Sequence, residues 1–242
     1  MLQTLTRDEL IPIIGIAIGI VVVFAYRRIR KQRAVALKDY GMSLGLEFDP
    51  EPLADLSRFK QFKAFDLLLG IKKLPRTRAM NTLTGTRMIA GRACDIQAGY
   101  HNHAFADRVS GGCPYVMLRL AASNMPKLII CEEWAHQDKL LKDIDFTGSA
   151  TAEKFSKRFF IQCDEETSAR ELIQPGLMDV LLERKRMNWL EFDGDTVCLY
   201  HQPQLDWSHA ELFQNDLTIK PLVELVELME RLVAALPRSF TR

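Results

Sequence analysis

The sequence lacks any strong compositional bias. Its 242 residues contain 32 Lys and Arg against 31 Asp and Glu, which gives a formal net charge of +1. The apolar fraction of 48% and the charged fraction of 26% are ordinary for a globular protein, so they exclude a long disordered chain and a collagen-like chain. Nucleic-acid-binding domains usually have a pI above roughly 9, so the near-neutral charge predicts no nucleic-acid partner.

Cysteine motifs and nucleotide-binding motifs are missing as well. The five cysteines are widely spaced and none belongs to a CxxC pair, which excludes a zinc ribbon and a thioredoxin-like site. We expect reduced, inert thiols in the core, because a buried thiol behaves as a small hydrophobic residue. The sequence also contains no P-loop, GxGxxG, HExxH or kinase signature. We therefore expect no cofactor and favour a protein that is not an enzyme.

Charge is absent from the 17 residues 10–26, LIPIIGIAIGIVVVFAY. A helix of this length measures about 25 Å, close to the lower limit for crossing a bilayer. A basic block follows at once, formed by Arg27, Arg28, Arg30, Lys31 and Arg33. Lys and Arg stay on the cytoplasmic side, so we predict a single transmembrane helix over 10–26 of a bacterial inner membrane, with residues 1–9 outside. A cleaved signal peptide fits less well, since its basic residues should precede the apolar run.

Two features of this region predict partners. Gly15 and Gly19 form a GxxxG pair, and this spacing lets membrane helices approach closely, so we expect self-association or packing against a protein partner. The basic block is expected to lie at lipid headgroups, where it would contact anionic lipid. The lipid bilayer is therefore a predicted partner in its own right.

The remainder of the chain, residues 46–242, predicts a cytoplasmic α+β domain. It follows a basic juxtamembrane helix over 27–45 that we expect to stop at Gly45. Runs rich in branched and aromatic residues predict strands, and Asp193-Gly194-Asp195 predicts a hairpin turn within 189–200. The predicted strands are residues 88–100, 115–121, 127–131 and 159–163.

Helical patterns separate and follow these strands. Residues 165–173, 175–185 and 222–236 predict helices, and Asp164 is the expected N-cap of the first. Because hairpins rather than strict βαβ alternation connect the strands, we predict a largely antiparallel sheet with packing helices. Whether this is one domain or two subdomains that divide near 145–152 stays open.

A few polar groups offer possible chemistry. His101 and His103 would share one face of a strand, which permits two imidazoles on one metal, although a polar strand end explains them as well. Asp143 and Asp145 could serve an enzyme at a membrane surface. The segment around Ser43 matches GxSxG, but helical residues precede the serine where a nucleophile elbow requires a strand.

Several short segments together resemble a broad group of bacterial single-pass inner-membrane proteins. They are the apolar run with its basic exit, LGLEF at 44–48, KFSKRFFI at 154–161, the hairpin at 189–200 and the end of the last helix at 232–238. The resemblance implies location and layout, a membrane helix followed by a cytoplasmic domain. It supplies no activity or catalytic residue.

These observations predict a membrane-anchored cytoplasmic interaction or accessory module, not an enzyme, within a larger membrane complex. Two alternatives stay open. One is a membrane-surface enzyme or metal-binding protein that uses the region of His101 and His103. The other is a domain that senses anionic lipid.

Overall fold

The computed structural model describes residues 7–51, 53, 59, 61–62, 78–102, 112–121, 123–132, 142–184, 189–201 and 218–240. Its helices are α1 (Arg7–Ser43), α2 (Ala150–Arg158), α3 (Glu166–Leu172), α4 (Pro175–Leu182) and α5 (Lys220–Ala235). Its strands are β1 (Glu47–Asp49), β2 (Arg78–Ile89), β3 (Arg92–Asn102), β4 (Gly112–Leu120), β5 (Met125–Cys131), β6 (Lys142–Asp143), β7 (Phe160–Cys163), β8 (Trp189–Gly194) and β9 (Thr196–Tyr200).

The nine described strands form one sheet in the order β1-β2-β3-β4-β9-β8-β5-β7-β6. Every pairing in this sheet is antiparallel. The α+β fold with an antiparallel sheet is thus confirmed. Strands from both sides of residues 145–152 pair in this one sheet, so that tract leads from β6 into the start of α2 and does not separate two sheets.

Side chains alternate between two faces of the sheet, because successive residues of a strand point in opposite directions. The first, here called the helix-covered face, is apolar; Ile96 on β3 and Leu118 on β4 lie in one core with Leu225 and Met229 of α5. The second, here called the polar face, buries a smaller apolar cluster that includes Tyr115, Trp189 and Tyr200, and it also carries a row of residues paired strand by strand across the sheet. That row is Glu47, Thr84, Gln97, Met117, Cys198, Glu191, Ile129, Gln162 and Asp143.

The C-terminal part of α1 packs against the helix-covered face. Leu37 is fully buried there, and the guanidinium carbon of Arg33 lies 3.6 Å from the ring centroid of Tyr100 on β3. Gly41 comes so close to β2 that a Cβ added to it would lie 2.6 Å from Cδ2 of Leu83. The absence of a side chain at Gly41 therefore lets the helix backbone approach the sheet.

The end of α1 is fixed by hydrogen bonds around Gly45, as predicted. Leu46 donates its backbone N–H to the carbonyl of Gly41 at 2.8 Å, and Gly45 donates to Met42 at 3.0 Å. This is the Schellman arrangement, which requires a left-handed residue, and Gly45 has φ +70°. The chain can then turn directly into β1.

The last hairpin and the last helix confirm the sequence predictions. Strands β8 and β9 pair around residues 193–195, and α5 buries the expected apolar stripe. Two other predictions need correction: the strand expected over 88–100 is a hairpin whose turn is Ala90 and Gly91, both with positive φ. Asp164 is not the N-cap of α3, because that position belongs to Glu165.

The predicted transmembrane helix over residues 10–26 is wrong. Among the residues that the structure describes, no helix has the length and apolar character needed to cross a membrane. The physical reason is length, because 17 uncharged residues make about 25 Å of helix against a hydrocarbon core of about 30 Å. The 37-residue helix α1 continues from this run into the basic block without a break.

Replacing Gly45 by Ala should lower the free energy of unfolding by about 1 kcal/mol, because Ala is strained at positive φ while a Cβ there would meet nothing within 4 Å. Gly176→Ala is the matched control, since Gly176 also has open space but lies in a helix without positive φ. We expect the control to be neutral or slightly stabilising. Urea unfolding would measure both, and equal effects of the two substitutions would contradict the explanation.

Candidate functional site

The N-terminal half of α1 exposes apolar side chains on all sides. Eight large apolar residues between positions 14 and 24 are each 50–66% exposed. At about 100° of rotation per residue, their positions cover the full circumference of the helix. They are Ile14, Ile16, Ile18, Ile20, Val21, Val22, Val23 and Phe24, here called the apolar segment. Isolated exposed apolar residues are normal, but a contiguous patch marks an interaction site.

A basic collar, formed by Arg27, Arg28, Arg30 and Lys31, directly follows the apolar segment. All four side chains are exposed. Their helical positions also distribute them around the axis: Arg28 and Lys31 lie away from the side that contacts the sheet, whereas Arg30 is on the same side as Leu37. The collar therefore separates the apolar segment from the body of the protein on several sides of the helix.

Arg33 differs from the other four basic residues. It is only 9% exposed and lies over the ring of Tyr100, an arrangement in which a guanidinium is attracted to the electron-rich face of the ring. Arg33 therefore holds α1 against the sheet and does not extend towards lipid headgroups. Gly15 and Gly19 lie nearer the N-terminus of α1, where an added Cβ would meet nothing within 4 Å at either position.

Only one of the two predicted metal ligands, His101 and His103, lies within the described residues. His101 is buried on β3, opposite Cys113 of β4 and 5.5 Å from the ring of Phe59, whereas His103 lies outside the described residues. Burial lowers the pKa of His101 to about 4, so its imidazole is neutral at physiological pH. Among the described residues, no group of three or more His, Cys, Asp or Glu could hold a metal ion.

The other sequence candidates have structural roles. Ser43 donates its hydroxyl to the carbonyl of Tyr40 at 2.7 Å, in the last turn of α1. Asp143 accepts a hydrogen bond from Gln162, and the backbone carbonyl of Asp145 accepts one from Arg170. The five cysteines are all buried, and burial raises the pKa of Cys163 to about 12, which keeps that thiol protonated.

Sequence reasoning missed a cavity of about 200 Å³ on the polar face. It is lined by Gln61, Asp95, Gln97, Met117, Arg119, Asp195 and Thr196. The available signal was the alternation along β3, where Asp95 and Gln97 interrupt an apolar pattern typical of a half-exposed strand. The pairing of β4 with β9, which adds Arg119 and Thr196, joins residues far apart in sequence and leaves no local signal.

No protein-family model matches the sequence, and comparison with curated proteins finds no match either. Among solved structures, the chain is similar to the crystal structure of the mycobacterial trehalose monomycolate transport factor A, TtfA. The sequence identity is 11% and the TM-score 0.49, over 84% of this chain and 96% of that one. A likeness at this score supports no inference about activity, substrate or partner. The resemblance to bacterial inner-membrane proteins stays a prediction.

Acid should destabilise the protein partly through His101. Its pKa in the folded chain, about 4, is below the unfolded value of 6.5, so between these pH values only the unfolded chain binds the proton. The stabilising contribution is complete above pH 6.5 and is lost as the pH falls towards 4, by about 3 kcal/mol in total.

Urea unfolding at pH 7 and near pH 4.5 would test this. The variant His101→Gln has no titrating imidazole, so it should lose less stability than the wild type between the two pH values. Other acidic groups contribute equally to both proteins and cancel in the difference. Identical losses in the two proteins would show that His101 is not buried as described.

Proposed function

We propose that this protein is an interaction module, not an enzyme, that attaches to an anionic lipid bilayer through α1. The apolar segment is buried in the near leaflet without crossing the bilayer, and the basic collar stays among the headgroups. The observation that carries the proposal is the apolar segment, exposed around the whole helix and followed directly by the collar. A bacterial inner membrane and a larger membrane complex are the specific setting that we propose.

The apolar surface supports this proposal through its size. Complete burial of one large apolar side chain is worth about 1.5–3 kcal/mol, and the eight side chains of the segment are at least half exposed. Moving them into hydrocarbon therefore releases on the order of 10 kcal/mol. A flat protein surface would cover only one side of such a helix, since its apolar side chains lie all around the axis.

The charge of the basic collar also supports a bound state in which the collar lies at the headgroups. Each Lys or Arg close to an anionic bilayer contributes about 1 kcal/mol, and the collar presents four of them within little more than one helical turn. Two of them face away from the sheet, so the body of the protein does not shield them. The collar thus limits how deeply the helix enters, because each basic side chain strongly favours the headgroup region over hydrocarbon.

Because α1 packs against the sheet, attachment of α1 to a bilayer also sets the orientation of the α+β domain. The helix is continuous from Arg7 to Ser43, and its C-terminal part is held by Leu37, Arg33 and Gly41. A bilayer that holds the apolar segment therefore also fixes how the α+β domain faces the membrane. This arrangement suits a module that presents a surface to other components of the membrane.

Flotation of the full-length chain with vesicles would test the proposal. Vesicles of phosphatidylcholine mixed with phosphatidylglycerol should bind the wild type. The double variant Ile18→Asp/Val22→Asp should bind at least about a hundredfold more weakly, because a charge in hydrocarbon costs about 2.5–3.5 kcal/mol. Met42→Asp/Met88→Asp is the matched control, since both methionines are exposed but lie outside the segment; it should bind normally.

A second set of variants tests the collar. Changing its four basic residues to Gln should weaken binding to the anionic vesicles by about fivefold per side chain and abolish the preference over pure phosphatidylcholine. Arg170→Gln/Arg231→Gln, at exposed arginines elsewhere, is the control. Absence of wild-type flotation would overturn the proposal, as would a stable lipid-free oligomer that Ile18→Asp/Val22→Asp dissociates, which would assign the segment to self-association.

A further inference from the structure

The cavity on the polar face combines one guanidinium with two carboxylates. Arg119 of β4 donates from Nε to Oδ2 of Asp195 at 2.5 Å. Asp195 also accepts from the hydroxyl of Thr196 at 2.8 Å. Asp95 lies opposite Arg119 in the pairing of β3 with β4 and accepts from Thr86 at 2.7 Å. These bonds hold the three charged groups in place at the rim of the cavity.

Each of these groups keeps hydrogen-bonding capacity that the described residues do not use. Arg119 uses Nε for Asp195, so its terminal nitrogens Nη1 and Nη2 form a pair of donors with no acceptor among the described residues. Asp95 uses Oδ1 for Thr86 and keeps Oδ2. Gln97 donates from Nε2 to the hydroxyl of Tyr115 at 3.3 Å, which leaves its Oε1 as an acceptor. The cavity thus offers one fork of donors beside two acceptors.

The charges restrict the ligand further. Arg119 and Asp195 neutralise each other, which leaves the negative charge of Asp95 without an ion-pair partner in the described part of the chain. A simple anion would be repelled by the two carboxylates, and a metal cation would be repelled by Arg119. A ligand that carries both an anion and a cation satisfies both sides of the site.

We propose that this cavity binds a free α-amino acid. The carboxylate of the ligand pairs with Nη1 and Nη2 of Arg119, since two parallel N–H groups match the two oxygens of a carboxylate. The ammonium group binds Oδ2 of Asp95 and Oε1 of Gln97. Residues directly opposite in a sheet have Cβ atoms about 5 Å apart, which suits two charged groups attached to one carbon atom.

The remaining lining indicates the size of this ligand. Met117 adds an apolar side chain to the lining, and Gln61 adds a further polar one. A volume of about 200 Å³ is below the range of about 300–1,000 Å³ typical of drug-sized ligands, so a single amino acid fits better than a nucleotide or a peptide. The site lies on the polar face, whereas α1 packs on the helix-covered face, so amino-acid binding is independent of lipid attachment.

Isothermal titration calorimetry on the full-length chain in a mild nonionic detergent would test the proposal. The probes are the neutral L-α-amino acids, with ethylamine and propionate as analogues of alanine that carry only one of the two charges. We expect saturable binding of at least one amino acid. Each single-charge analogue should bind at least about tenfold more weakly than alanine, because it loses one charge-assisted contact.

Two variants assign the binding to the cavity. Arg119→Lys keeps the charge but loses the fork of donors, and Asp95→Asn removes the charge that holds the ammonium; each should weaken binding by about tenfold or more. Arg231→Lys and Asp145→Asn are controls at exposed positions elsewhere and should change it less than twofold. Circular dichroism would confirm that all four variants fold.

Three results would overturn the proposal: no saturable binding of any amino acid by the folded wild type, unchanged binding in both Arg119→Lys and Asp95→Asn, or ethylamine binding as tightly as alanine. None of them would affect the result of the vesicle experiment, because those vesicles contain no amino acid and the variants there lie on α1. The two proposals can therefore fail separately.

Discussion

The close contact between α1 and the sheet is the interaction on which the rest of the structure depends. A residue with any side chain at Gly41 would meet Leu83, and a residue without a guanidinium at position 33 would leave the ring of Tyr100 uncovered. These two contacts hold the helix at a fixed angle while its N-terminal half leaves the domain. Because the helix has no break, this contact with the sheet also sets the direction of the apolar segment, about 15 residues away.

Both faces of the sheet bury apolar side chains, but they differ in how many polar side chains they carry. The helix-covered face contributes the larger apolar core, in which α5 and the shorter helices cover the central strands. The polar face carries charged and amide side chains in adjacent rows, including Gln97, Arg119 and the buried Glu191. A buried polar residue stabilises little by itself, since the cost of removing it from water offsets most of its hydrogen bonds. The polar side chains of this face are therefore better explained by specificity than by stability, whereas its apolar cluster adds to the core.

Local signals in the sequence predicted the elements that local forces determine. The apolar stripe of α5 and the turn around Gly194 are readable because both depend on residues close in sequence. The hairpin turn at Ala90 was missed because alanine rarely adopts positive φ, and the residues around it form one apolar run. Helix α2 was missed because its cap, Ser149 accepting from the N–H of Ala152, lies in a polar tract that resembles a linker.

The candidate site was predicted only in part, for a related reason. The apolar segment and the basic collar could be located in the sequence because both are contiguous. The prediction of a transmembrane helix was wrong, because it treated a run of about 25 Å as sufficient to cross a bilayer. It also assigned Arg33 to the headgroups, whereas the fold uses that residue to hold α1. The cavity could not be predicted from the sequence, since Asp95, Arg119 and Asp195 come together only through strand pairing.

The α1 helix and the cavity lie on opposite faces of the same sheet. Strand β3 contributes to both, because Tyr100 contacts Arg33 on the helix-covered face while Asp95 and Gln97 point to the cavity on the other face. The sheet therefore stands between α1 and the cavity, and lipid that holds the helix does not have to cover the ligand. A module arranged in this way can stay attached while its polar face exchanges a small solute with water, since Asp95 and Arg119 are exposed at the cavity.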